Sequence, residues 1–185
     1  MMDAALRTHY DNLLYSADKD ARFAAYDALF ASVEQPVDWA YAVWDEMLAR
    51  LTHQDNHQRS VAAQLLCYLA QSDPEKRILR DFARVIAVTK DVKFVTARHT
   101  LQSIWRVGLA GPEQRALAVE GLSGRFIECV SEKNGSLIRY DIAQALRHLY
   151  DATQDERIRE RALALIATEE DEKYRKKYLT VWKKS

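Results

Sequence analysis

The sequence predicts an all-α chain of about five two-helix units, and three observations carry that expectation. Apolar residues recur at offsets of three, four and seven, the period of a helix face rather than strand alternation. The three prolines stand at 36, 74 and 112, evenly spaced by 38 residues. An arginine heads an apolar stripe five times, at Arg22, Arg59, Arg98, Arg139 and Arg175, with intervals of 37, 39, 41 and 36 residues.

Each proline marks the entrance to a helix, where a missing N–H removes no intrahelical bond. Pro36 precedes Trp39, Val43 and Met47, spaced four apart. Asp73-Pro74-Glu75 reads as an N-cap acid, a proline at the first helical position and a carboxylate in the first turn. Pro112 precedes Leu122, Phe126 and Val130, again spaced four apart. The arginines mark the alternate helices. Arg22 is followed by Ala25 and Leu29, Arg59 by Ala62 and Leu66, and Arg98 by Leu101 and Trp105. Arg139 is followed by Ile142 and Leu146, and Arg175 by Tyr178 and Trp182. These offsets of three and seven share one face. Trp105 and Trp182 occupy the position that leucine holds elsewhere, so both are expected in the core.

Interleaved, the two signals place ten helices at about 3–16, 19–34, 37–51, 56–71, 74–88, 91–107, 112–131, 136–151, 154–167 and 170–183. Asn134-Gly135-Ser136 reads as a stop followed by a cap. Thr153-Gln-Asp-Glu156 reads as a capping box. Glu169–Lys173, Asp171–Arg175 and Glu172–Lys176 are acid-first pairs four apart that suit an exposed helix face.

A unit of about 37 residues cannot bury its stripe alone, whereas stacked units can. The phrases Arg22-Phe-Ala-Ala25, Arg59-Ser-Val-Ala62 and Arg139-Tyr-Asp-Ile-Ala143, with the upstream Asp18, Asp55 and Asp171, resemble HEAT-like repeats over nearly the whole chain. The resemblance implies a right-handed α–α superhelix, a solenoid of about five repeats forming a single domain over residues 1–185. It also implies an Asp–Arg ladder between stacked repeats. The Asp-to-Arg offset is four in the first, second and fifth units, seven in the third and absent in the fourth.

Composition excludes several classes. Five glycines and three prolines in 185 residues, 48% of them hydrophobic, fit neither a disordered nor a fibrous chain. Formal net charge is zero, which weighs against strong attraction to polyanions. Residues 1–55 carry a net charge of −6 and the remainder +6, an asymmetry able to orient a partner. Cys67 and Cys129 sit inside apolar helical patterns without metal-type spacing and read as buried thiols. No basic leader followed by an apolar run, and no apolar stretch of spanning length, is visible. The expected setting is cytoplasmic, without a membrane.

Chemistry-bearing residues are few. Arg22, Arg59, Arg98, Arg139 and Arg175, with His99, are the candidate partner- or anion-binding groups, because guanidinium forks suit carboxylates and phosphates. The same spacing equally fits ion pairs that fix repeat stacking. Residues 76–106 carry a net charge of +6 around His99 and Trp105 and are a candidate surface for a nucleic-acid backbone. Against this, Arg77, Arg80 and Arg84 are expected on an outer face opposite Ile78, Phe82 and Val85. His53 and His57 are four apart but fall at a helix break, so no metal is expected. No phosphate loop, nucleophile elbow or paired carboxylate is present, and no catalytic residue or cofactor is expected.

Two functional readings follow. The first is a non-enzymatic scaffold binding a protein or peptide on its concave face. The second is a DNA-binding protein similar to the HEAT-like alkylation-repair glycosylases, with Arg98, Trp105, Arg139 and Asp141 near the nucleotide. A homodimer through a solenoid end is a third expectation, if Tyr174 and Tyr178 point outward.

Overall fold

The computed structural model describes residues 1–183. Among them lie ten α-helices and no strand. These are α1 (Ala4–Tyr15), α2 (Lys19–Ser32), α3 (Ala40–Arg50), α4 (Asn56–Leu69) and α5 (Arg77–Ala87). They continue with α6 (Phe94–Ile104), α7 (Pro112–Glu128), α8 (Gly135–Thr153), α9 (Glu156–Ala167) and α10 (Glu172–Val181).

Aspartate sets half of the helix starts. Asp3, Asp18, Asp55, Asp155 and Asp171 each accept a backbone N–H from the first turn of their helix. The cap of α9 is therefore Asp155, not the expected Thr153, whose hydroxyl donates to the Leu149 carbonyl at 2.7 Å inside α8. The start of α5 also differs from expectation. Pro74 lies in a turn, Lys76 takes a left-handed φ of 53°, and the helix opens at Arg77. Asp73 still serves the helix, because its carboxylate accepts from the Ile78 N–H at 2.7 Å.

The helices pack largely in sequence order. α1 lies on α2, and α3 on α4. Beyond that, α4 meets α6, α6 meets α8 and α8 meets α10, while α5 meets α7 and α7 meets α9. Polar side chains join the earlier pairs, with Tyr10 donating to Glu46 at 2.7 Å and Tyr26 to Gln64 at 2.7 Å. The core is one continuous body of side chains, and its stripe residues Ala25, Leu29, Ala62, Leu66, Leu101, Ile142, Leu146 and Tyr178 are all buried. Trp39, just before α3, and Val43 and Met47 within it are buried as their spacing predicts.

Three apolar positions depart from the pattern, two of them at 3-10 turns and one past a helix end. Four helices close in a 3-10 turn, which advances about 120° per residue and shifts the face that follows. After α7, Cys129 takes the buried place and Val130 is 65% exposed. Trp105 begins such a turn and is only half-buried, and Trp182 lies just past the end of α10, also half-buried. Both cysteines are free and buried. No helix among the described residues is long and apolar enough to cross a membrane.

Candidate partner-binding groove

The five arginines sit early in α2, α4, α6, α8 and α10, the positions that the repeat predicts. Their forks reach forward along the chain. Arg59 holds Asp91, which follows α5, through Nε and Nη2. Arg98 holds Asp141 of α8 at 2.6 and 2.9 Å. Arg139 holds Glu169, before α10, at 2.8 Å and lies 4.5 Å over the Phe126 ring. The upstream Asp18, Asp55 and Asp171 are instead helix caps, and each accepts its own arginine's backbone N–H through its carbonyl. Arg22 and Arg175 have no forward carboxylate among the described residues. They turn back to the carbonyls of Ser16 and Glu169, at 2.7 and 3.1 Å.

Arg22 and His99 are the two candidate groups that the structure brings to one opening. A groove of about 430 Å³ runs between α2, α4 and α6. α2 contributes Lys19, Arg22, Phe23 and Tyr26, and α4 contributes His57, Ser60, Val61 and Gln64. Each set has the spacing i, i+3, i+4, i+7, so each is one face of its helix. His99 enters from α6. Phe23 is 70% exposed, an aromatic ring left in water beside two cations.

The floor is polar and internally satisfied. Gln64 donates to Ser60 Oγ and to the Ser60 carbonyl, both at 3.1 Å, and its own oxygen takes the Tyr26 hydroxyl. Ser60 Oγ lies 3.3 Å from His99 Nδ1. Burial, aided by the neighbouring Arg98, lowers the His99 pKa and keeps the ring neutral near pH 7. Among the described residues no carboxylate is hydrogen-bonded to His99, so the Ser60–His99 pair lacks the orienting third group of an activated nucleophile. No carboxylate lines the groove either. Its charge comes from Lys19 and Arg22.

The basic stretch 76–106 is largely neutralised within the fold. Ile78, Phe82 and Val85 are buried, as expected of the face opposite its arginines. Arg77 pairs with Asp45, Lys76 with Glu113 at 2.6 Å, Lys90 with Glu128 at 2.6 Å and Arg80 with Asp81 at 3.5 Å. Arg84 donates to the Leu48 carbonyl. Arg106 takes both oxygens of Glu34, 72 residues away, with its guanidinium 3.7 Å over the Tyr68 ring. The set considered for a damaged nucleotide does not converge on open space, because Asp141 is fully buried on Arg98 and Arg139 is buried on Glu169.

His53 and His57 serve the backbone. His53 Nδ1 accepts from the Asp55 N–H, and His57 Nε2 lies 3.1 Å from the Leu13 carbonyl. Tyr178 does not point outward as an end surface requires. It is buried, donates to the Ser136 carbonyl at 3.0 Å and has Tyr174 stacked beside it.

Sequence reasoning missed Lys19, Phe23, Tyr26, Ser60 and Gln64 as groove residues. One signal was present. Phe23 is an aromatic one place off the buried stripe, on the side that Arg22 also faces. The pairing of the two helix faces had no sequence signal. The chain matches no protein-family model, no curated protein and no solved structure.

Proposed function

We propose that the chain is a HEAT-like helical-repeat scaffold that binds a protein or peptide segment along the face of α2, α4 and α6. In this reading α2, α4, α6, α8 and α10 form the inner row of a right-handed solenoid, and α3, α5, α7 and α9 form the outer row. The packing of alternate helices from α4 onward supports it, as do the forward Arg–acid pairs at Arg59, Arg98 and Arg139.

The observation that carries the binding role is the exposed Phe23, which lines a groove with Lys19 and Arg22 and without carboxylates. An aromatic anchor beside guanidinium and ammonium groups suits an acidic segment with an apolar side chain. The self-neutralised basic stretch favours such a partner over a nucleic-acid backbone, since binding the latter draws on unpaired cations.

The test is fluorescence anisotropy with labelled acidic peptides that vary in one apolar position, run beside a labelled DNA duplex across a salt series. The expected result is saturable peptide binding, weakened at least tenfold by Phe23→Ala and by Lys19→Glu/Arg22→Glu. DNA binding with a steep salt slope and no peptide binding overturns the proposal in favour of the nucleic-acid reading. Binding that Phe23→Ala leaves unchanged moves the site elsewhere.

A further inference from the structure

A second cleft, of about 390 Å³, opens between α7 and α9. Its character differs from that of the groove on α2, α4 and α6. Ala116 and Val119 of α7 and the buried Ile158 of α9 give it apolar walls. Arg115, Arg157 and Arg161 surround them, with Glu120 and Asp155 as the acidic groups.

The donors here are not matched by acceptors. Asp155 is already committed: it accepts the Arg157 N–H as helix cap and the Arg157 fork at 2.9 and 2.7 Å. Arg115 reaches it only at 4.0 Å, too long for a hydrogen bond. Arg115 Nε is buried and has no acceptor among the described residues. Arg161 gives its Nε to Ser123 Oγ at 2.9 Å, and its terminal amino groups have no acceptor among the described residues. Guanidinium groups bind oxyanions through two parallel bonds.

We propose that this cleft binds an amphipathic organic monoanion. Its apolar body lies on Val119 and Ile158, and its carboxylate or sulfonate meets Arg161 and Arg115. Glu120 on the same wall opposes a second negative charge. The apolar walls supply the contact that a small inorganic anion cannot use, and the volume lies in the range of small-ligand pockets. This site is independent of the peptide-binding reading.

The probe is 8-anilinonaphthalene-1-sulfonate titrated into the full chain, read by fluorescence. Saturable one-to-one binding is expected. Arg161→Ala weakens it at least tenfold, about 1.4 kcal/mol, while Lys19→Ala/Arg22→Ala leaves it unchanged. Arg161 is exposed and its one hydrogen bond among the described residues goes to Ser123, so its truncation is expected to leave the fold intact, which the melting temperature of the variant checks. Amide shifts in the unmutated protein locate the probe independently, and those of Ala116, Val119 and Ile158 are expected to move. The uncharged N-phenyl-1-naphthylamine is expected to bind at least tenfold more weakly. No saturable binding, shifts centred on Phe23 and Tyr26, equal affinity in Arg161→Ala, or equal affinity for the uncharged probe each overturns the proposal.

Discussion

Arg98 and Asp141 meet fork to fork across 43 residues of sequence, with Nε to Oδ2 at 2.6 Å and Nη2 to Oδ1 at 2.9 Å. The pair is lopsided. The carboxylate side chain is 0% exposed, whereas the arginine side chain is 36% exposed. Its two halves therefore differ in what their removal leaves behind. Arg98→Ala strands a buried carboxylate and is expected to cost about 3 kcal/mol. Asp141→Asn leaves a guanidinium that can turn to water, and is expected to cost about 1 kcal/mol. Urea unfolding of the two variants checks this, and equal costs would mean that water reaches Asp141.

Acid should weaken the fold through two related pairs. The Arg59 fork holds the Asp91 carboxyl below its ordinary 3.8, and the Arg125 fork holds Glu132 below its ordinary 4.5. A carboxylate depressed in the folded state contributes stability that is present above its unfolded pKa and lost as pH falls through the folded one. Melting temperature is thus expected to hold from pH 7 to about pH 5 on their account and to fall below about pH 4.5. Asp91→Asn and Glu132→Gln should each lower the melting temperature at pH 7 and flatten the acid limb. An acid limb as steep as the unmutated protein's would remove these pairs as its cause.

Tyr178 ties α10 down with both its ring and its hydroxyl. It is buried, lies edge-on to Phe126 and donates to the Ser136 carbonyl at 3.0 Å. Tyr178→Phe is expected to cost about 1 kcal/mol, the value of one hydrogen bond. Tyr178→Ala, which leaves a cavity as well, should cost about 3–5 kcal/mol. Removing α9 and α10 together should lower stability further, because it uncovers Ile142, Leu146 and their neighbours. A melting curve unchanged by that deletion would show that the last two helices contribute no docking energy.

Gly135 opens α8 at a place with no room for a methyl group. A Cβ there would collide with the Cys129 carbonyl oxygen, a backbone atom of the turn that ends before it. Gly135→Ala is expected to cost about 1–3 kcal/mol, the range for overpacking. Gly124 in α7 is the control, since a Cβ there meets nothing. Gly124→Ala should be neutral or stabilising, as alanine favours a helix interior. Equal thermal shifts for the two variants would refute the steric account.

The sequence by itself determined the ten helices, their order and most of their buried faces. Those features are local. An aspartate before a helical run binds the first free N–H groups, and a period of 3.6 puts Leu29, Leu66 and Leu146 on a stripe that must be covered. It could also place five arginines at the head of those stripes. The tertiary structure decided what the arginines hold. Asp18, Asp55 and Asp171 recur four residues upstream of their arginines, yet they cap helices, and the forks of Arg59, Arg98 and Arg139 reach acids 30 to 43 residues ahead. It also decided that the Lys19–Tyr26 face of α2 would oppose the His57–Gln64 face of α4. Such pairings depend on the rise and rotation between helices. Those quantities are set by how whole faces pack, including the 3-10 turns that displace Trp105 and Val130, and no pattern within one helix encodes them.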